Sequence, residues 1–319
     1  MSQTSDEERG TGSHQTANYK PLAINHRQPT MANTPSPSSS PAGYLLVAPV
    51  KSDVPPILNA AIVDICKEAI DSRGVFTIAL SGGSLPGFLG TVTEAFATKS
   101  VDPRYEAWRV VLADERCVPS DHADSNLGSL RSKFLSATTI DPSRVYGINE
   151  EKLSVSTQAV ATDYESVLKP VLAESGGQLD LAVLGFGPDG HTCSLFPGHA
   201  LLKETSVMVA PIEDSPKPPP KRITLTYPVL NTMTRHVIFC GAGGSKAPIL
   251  QAIFSSVAKA KAAAEGGSGS TKETKYDITI QQPAPYPCAG VVPDSEGTNN
   301  TLTWIVDDAA MEGVKVTPE

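Results

Sequence analysis

The chain has 319 residues, 40% of them hydrophobic, and a net charge of −8 at pH 7. That length suits one large domain or two small ones, and the apolar share suffices for a core once the polar N-terminus is set aside. The acidic balance provides no broad basic field for nucleic acid or an anionic membrane, and no apolar run approaches the roughly 20 residues of a membrane span.

Residues 1–43 are rich in Ser, Thr, Pro, Asn and Gln and end in TPSPSSSP. Such a stretch buries too little apolar surface to order itself, so it is expected to be a disordered tail. Residues 1–30 lack an apolar signal segment and carry Asp6, Glu7 and Glu8. Secretory and mitochondrial targeting are therefore not expected, and the expected location is cytoplasmic. Cys66, Cys117, Cys193, Cys240 and Cys288 are scattered, with no C-x-x-C pair. That pattern favours free thiols over disulfides or a zinc site.

From Tyr44 the pattern changes. YLLVAPV (44–50) reads as a strand, and Ile57, Leu58, Ala61, Ile62, Ile65 and Ala69 recur at helical spacing. VFTIAL (75–80) is a strand followed by a helical stretch near 86–96, and RVVLA (109–113) is another strand. Helices are expected near 125–136 and 155–173, with Pro170 bending or ending the second. LDLAVLG (179–185) reads as a strand buried on both sides. VMVAPI (207–212), RITLT (222–226) and HVIFC (236–240) are further strands. The run 245–265 is expected to be the longest helix, and GGSGSTKETK (266–275) a flexible surface insertion. LTWIV (302–306) closes the series, followed by a short acidic helical turn.

This alternation predicts an α/β fold: a Rossmann-like, mostly parallel sheet with helices on both faces, formed by a single domain over 44–319. Such sheets bind ligands outside the carboxyl ends of their strands. The candidate site loops are therefore 81–87, 114–118, 186–199 and 241–246.

Ser81-Gly82-Gly83-Ser84 lies between a strand and a helix. Its glycines permit close backbone approach and the helix start presents free N–H groups, which suits a phosphate; the same residues also make an ordinary strand-to-helix turn. Neither a Walker loop nor a nucleophile elbow is present there. Asp114-Glu115-Arg116 places three charges at the end of a buried strand, which is unfavourable unless they are paired or used.

Gly185-Phe186-Gly187-Pro188-Asp189-Gly190 is literally G-x-G-x-x-G. A dinucleotide fingerprint needs a long helix immediately after the glycines, but here they run into HTCSLFPGH, where Pro197 and Gly198 stop any helix. The better reading is a tight turn that fixes His191 at a strand's carboxyl end. Beside Asp189, His191 is a general-base candidate. Its spacing to His199 fits no helical metal pair, and no carboxylate or cysteine cluster completes a shell. Lys221 and Arg222 start a strand. Lys246 starts a helix, where a cation opposes the dipole unless an anion lies between it and the preceding glycines.

Taken together and in this order, four stretches resemble the 6-phosphogluconolactonase family. They are LSGGSLP, ADERCVP with Asp124-Ser125-Asn126, LGFGPDGHTCSLFPGH, and RITLTYPVLN followed by Gly243-Gly244-Ser245-Lys246-Ala247. The resemblance covers about Tyr44 to Met311 and implies a sugar-phosphate isomerase/deaminase-like fold. It also implies hydrolysis of 6-phosphoglucono-δ-lactone to 6-phosphogluconate in the oxidative pentose phosphate pathway. On that basis His191 activates water, Asp189 or Asp114 orients the imidazole, and Arg116 stabilises the oxyanion. Ser81, Gly82, Gly83, Ser84, Arg222 and Lys246 hold the 6-phosphate. No metal or organic cofactor is expected, because a lactone is already an activated ester.

The expected partner is the small-molecule sugar-phosphate lactone, without nucleic acid or membrane, and the chain is expected to be a monomer or weak homodimer. The related glucosamine-6-phosphate deaminases carry D-E-Y where this chain has Asp114-Glu115-Arg116. They carry F-N-E-P where it has Ser194-Leu195-Phe196-Pro197. A deaminase-type isomerase and a non-catalytic sugar-phosphate sensor are the two other readings.

Overall fold

The computed structural model of the chain describes residues 43–260, 273–294 and 299–317. In chain order the strands and α-helices are β1 (Gly43–Ala48), α1 (Val54–Arg73), β2 (Phe76–Leu80), α2 (Leu85–Phe88), α3 (Val92–Thr98), β3 (Trp108–Leu112), β4 (Asp114–Arg116), α4 (Asn126–Lys133) and β5 (Val145–Tyr146). There follow α5 (Thr157–Glu174), β6 (Leu179–Leu184), β7 (Val209–Ile212), β8 (Arg222–Leu225), β9 (Thr234–Cys240), α6 (Ala247–Ile253), β10 (Phe254–Lys259), β11 (Thr274–Ile280) and β12 (Thr301–Asp307).

Among the described residues, nine strands form one sheet in the order β10-β11-β1-β12-β9-β6-β2-β3-β5. Every neighbouring pair from β1 to β5 is parallel, and only β11 runs against the rest. β2 and β6 are buried at every position, so layers cover both faces of the sheet, as an unbroken apolar run in a parallel sheet requires. The chain leads from β2 to β3 on one side, whereas β6 pairs with the other side of β2 and leads to β9. Strand order thus reverses between β2 and β6, and the crevice at their carboxyl ends is where such sheets take ligands.

The helices follow from local chemistry. Prolines in the first turn of α1 suit positions whose N–H has no helical partner. Ile57, Leu58, Ile62, Cys66 and Ala69 form its buried stripe. Gly74, at φ 74°, closes it with an N–H donated to Ile70 O at 2.9 Å. Ser156 caps α5 by accepting from Ala159 N–H. Pro170 does not end that helix, which runs on to Glu174.

The helix expected over 245–265 is corrected. The run 245–265 is not the longest helix: α6 stops at Ile253, and Phe254–Lys259 forms β10, paired with β11. Ala- and Lys-rich composition favours helix only weakly, and backbone pairing along a sheet edge overrides it. The longest α-helix among the described residues is α1. The insertion expected at 266–275 lies outside the described residues except for 273–275, of which Thr274 and Lys275 already belong to β11. The tail expected over 1–43 also lies outside them, except for Gly43, the first residue of β1.

The strands at 207–212 and 222–226 do not join the large sheet. β7 and β8 form a second, antiparallel sheet with β4 in the order β4-β8-β7. Ala113 is the hinge between the two sheets, donating to Leu80 O at 2.9 Å and accepting from Leu225 N at 2.8 Å. The second sheet therefore starts at the carboxyl end of β3, beside the crevice.

Candidate active site

The glycines of the loop after β6 make room for a histidine–aspartate pair. A β-carbon on Gly187 would lie 2.1 Å from His191 Nδ1 and 2.3 Å from Asp189 Oδ1. Gly190 adopts φ 77°, and a β-carbon there would run into the Tyr286 ring. Gly187 N–H donates to His191 O at 2.9 Å, and Gly190 N–H donates to Gly187 O at 3.0 Å, which closes the turn. Phe186 anchors the loop in the core, its ring 5.1 Å from Trp304.

His191 Nδ1 donates to Asp189 Oδ1 at 2.5 Å. Burial raises the Asp189 carboxyl, but hydrogen bonds from His191 and Lys217 outweigh it and bring it down to about 2. Asp189 is therefore an ionised acceptor, so the proton sits on Nδ1 and Nε2 keeps its lone pair. Nε2 makes no hydrogen bond among the described residues. Burial lowers the imidazole below its ordinary range, the hydrogen bond and charge of Asp189 oppose this, and Lys217 adds to the lowering. Phe196 stacks on the ring with centroids 5.0 Å apart.

Asp114, the other carboxylate considered as a partner for His191, is engaged elsewhere. Its Oδ2 accepts from Ser194 Oγ at 2.9 Å, and its backbone oxygen accepts from Asn126 Nδ2 at 2.8 Å. Asp189 is the carboxylate hydrogen-bonded to the imidazole. Glu115, fully buried, accepts from the backbone N–H groups of Arg116, Asn126 and Leu127 and from Ser125 Oγ. This satisfies the orphan donors at the start of α4 and ties the Asp124-Ser125-Asn126 segment to β4. Burial nonetheless holds the Glu115 carboxyl above its ordinary value.

Arg116 stands opposite Arg222 in the β4–β8 ladder. It donates from Nη1 to Asp124 O at 2.8 Å, while its Nε is buried with no partner among the described residues. Arg222 is buried and donates to three consecutive carbonyls: Nε to Pro219 O, and Nη2 to Lys217 O and Pro218 O. Only Nη1 is left for anything else, 3.5 Å from Ser194 Oγ.

Ser81 follows β2, with its N–H on Val183 O of β6 at 3.1 Å. Its Oγ is buried without a hydrogen-bond partner among the described residues. Gly82 lies so close to Asn126 that a β-carbon would meet its side chain, and Gly83 holds φ 71°. Ser84 precedes α2 without capping it through its side chain. In the loop after β9, Asp307 accepts from Gly243 N–H at 2.8 Å. Lys246 donates from Nζ to Phe186 O and stands 5.0 Å over the Phe186 ring. Burial lowers the Lys246 ammonium; Lys217 adds to that effect and Asp189 opposes it.

The residues singled out from sequence thus lie in neighbouring loops at one edge of the sheet. Sequence reading missed Lys217, which contacts both Asp189 oxygens at 3.1 and 3.0 Å and His191 Nδ1 at 3.1 Å. It also missed the wall made by Tyr286 and Cys288, whose N–H donates to Gly190 O at 3.0 Å. The signal for Lys217 was its place in SPKPPP, a rigid connector one residue before RITLT.

Residues 51–276 match the model of a family described as glucosamine-6-phosphate isomerases/6-phosphogluconolactonase. The chain is 39% identical over 240 residues to the 6-phosphogluconolactonase of Homo sapiens, an alignment covering 75% of this chain and 81% of the human protein. It is 42% identical over 197 residues to a probable chloroplastic 6-phosphogluconolactonase of Oryza sativa, covering 59% of this chain and 58% of that protein's length. The crystal structure of the Thermotoga maritima 6-phosphogluconolactonase superposes with a TM-score of 0.62 at 21% identity, covering 83% of this chain and all of that one. At that identity the likeness shows the fold.

Proposed function

The chain belongs to the glucosamine-6-phosphate isomerase/6-phosphogluconolactonase family, and on that premise we propose that it hydrolyses 6-phosphoglucono-δ-lactone to 6-phosphogluconate, an oxidative pentose phosphate pathway reaction. The observation that carries this reading is the His191–Asp189 pair, Nδ1 standing 2.5 Å from Oδ1 at the carboxyl edge of the sheet; an ionised Asp189 assigns the proton to Nδ1 and leaves Nε2 as the proton acceptor. Nε2 takes a proton from water as the water oxygen attacks the lactone carbonyl. The tetrahedral intermediate then expels the ring oxygen, which receives that proton from His191. General-base assistance of this kind contributes about 10²–10⁴-fold. Arg116 supplies the charge that stabilises the oxyanion, a role consistent with its unpartnered Nε.

The 6-phosphate is assigned to Ser81, Gly82, Gly83 and Ser84 with Arg222 and Lys246. The buried, unpartnered Ser81 Oγ supports this assignment, as does a Lys246 ammonium held partly out of water. Arg222 contributes through Nη1, since its other donors are engaged.

Phe196 favours the lactonase over the deaminase. It occupies the position of the glutamate in the deaminase pattern and stacks on His191, offering no acid for ring opening. The location we propose is the cytoplasm; no helix among the described residues is long and apolar enough to cross a membrane. We propose a monomer or weak homodimer. The test is turnover by the purified full chain of 6-phosphoglucono-δ-lactone, corrected for spontaneous hydrolysis, beside glucosamine 6-phosphate. Lactone turnover alone supports the reading. Deamination, or binding of both sugars without turnover, would replace it.

A further inference from the structure

Three titratable groups meet at Asp189, whereas a hydrogen-bonded histidine–aspartate pair needs only two. Lys217 Nζ lies 3.1 Å from Asp189 Oδ1, 3.0 Å from Oδ2 and 3.1 Å from His191 Nδ1. The lysine comes from the connector between β7 and β8, and that connector is built to hold it. Ser215 Oγ donates to Lys217 O at 2.9 Å and accepts from Lys217 N at 3.2 Å. Ser215 N–H donates to Pro220 O at 3.2 Å, closing the loop on itself. The buried Arg222 guanidinium fills the loop, with donor–acceptor distances of 2.9, 3.0 and 2.9 Å to the carbonyls of Lys217, Pro218 and Pro219. A planar fork bound to three consecutive carbonyls fixes backbone position more firmly than a single contact.

We propose that Lys217 is a positioning residue of the catalytic pair: its ammonium, held in place by Arg222 through the 217–219 carbonyls, fixes the Asp189 carboxylate against His191 and sets the charge balance around the imidazole. This rests on His191 acting as the base. Burial disfavours imidazolium and Asp189 favours it, so without Lys217 the balance moves toward a proton on Nε2. Lys217 offsets that charge while leaving the Nδ1–Oδ1 hydrogen bond intact. Among the described residues, the other charges facing the pair are Asp114, at the start of β4, and Lys246, from the loop after β9. Arg222 reaches it through Phe196, its guanidinium carbon 5.7 Å from the centre of the ring that stacks on His191. Among the described residues, Lys217 is the cation in direct contact with both partners.

The test uses the full chain with ¹⁵N-labelled histidine and the variants Lys217→Met, Lys217→Gln and Lys217→Arg, with melting curves to confirm folding. The His191 ring signals, assigned by loss in His191→Gln, are titrated without substrate. The pH dependence of kcat and KM is measured with the lactone. Removing a positive charge makes imidazolium easier to form, so in both neutral variants the His191 midpoint moves to higher pH. On the acid side kcat falls about tenfold, recovering to within about threefold of the parent where the imidazole is neutral. Lys217→Arg keeps the midpoint and the profile near those of the parent.

An unchanged His191 midpoint in the neutral variants overturns the proposal. So does a rise in KM with an unchanged pH profile, which would make Lys217 a contact to anionic substrate instead. The ring titration needs no turnover. If His191→Gln keeps its activity, the base assignment falls, while the titration still shows whether Lys217 governs the imidazole.

Discussion

Adding a single methyl group at Gly187 tests the geometry of the site directly. An alanine β-carbon there would stand 2.1 Å from His191 Nδ1, 2.2 Å from Cε1 and 2.3 Å from Asp189 Oδ1. Comfortable contacts between such atoms begin near about 3.5 Å, so the pair and the methyl group must separate by more than ~1 Å. The backbone cannot supply that movement easily. Gly187 is tied to His191 O and Gly190 N, and Phe186 is packed on Trp304 and Phe239. The imidazole therefore swings away from its place. A displacement of that size can cost ~10²-fold in rate, or about 2.7 kcal/mol of activation free energy.

Gly185→Ala is the control, because no atom lies within 4 Å of a β-carbon there. Initial rates of lactone hydrolysis, corrected for the spontaneous reaction, should show kcat of Gly187→Ala down by ~10²-fold and that of Gly185→Ala within about twofold, with melting temperatures reported for both. A folded Gly187→Ala that retains kcat within about threefold would refute the claim that these glycines exist to seat the pair.

Lys246→Ala should raise KM for the lactone and weaken inhibition by 6-phosphogluconate with little change in kcat, as read from initial rates at low salt. Glu115→Ala leaves three backbone N–H donors and the Ser125 hydroxyl without their acceptor. At ~1–3 kcal/mol per buried unsatisfied group, even partial rescue by water leaves a loss of ~3 kcal/mol or more, measurable by denaturant unfolding. Because burial lowers the imidazole of His191, the base stays unprotonated further into acid than a free histidine would. The acid limb of kcat/KM should accordingly lie below the ordinary imidazole range and vanish with the residual activity of His191→Ala.

Much of the architecture was legible because parallel strands advertise themselves. VFTIAL, LDLAVLG and HVIFC are short, apolar and β-branched, and they became β2, β6 and β9, the centre of the sheet. Ligand position then follows from a general property of such sheets, which singles out the four polar loops at their carboxyl ends. The edge of the sheet was less legible. Tyr276, Ile278 and Ile280 alternate with Lys275, Asp277 and Thr279, a clear period of two. That signal was masked by its position directly after a Gly/Ser tract, and without β11 there was no reason to read Phe254–Lys259 as its partner.

The site divides along the same line. Residues carried on the loop of a single strand, such as Asp189 and His191, can be paired from sequence because two positions of separation place them in one turn. Lys217 is 26 residues from His191, and what brings it there is the antiparallel return of β7 into β8 together with an arginine whose charge is spent on carbonyls. Arg222 shows the limit most clearly. From sequence, a strand-initial arginine near a phosphate loop reads as an anion ligand. In the fold, three of its donors already hold the backbone of 217–219. A buried guanidinium with fixed partners acts on substrate through what it positions as well as through Nη1, whose contact is the long one to Ser194 Oγ. Substituting Arg222 should therefore disturb Lys217, and with it the His191 titration, rather than phosphate affinity alone.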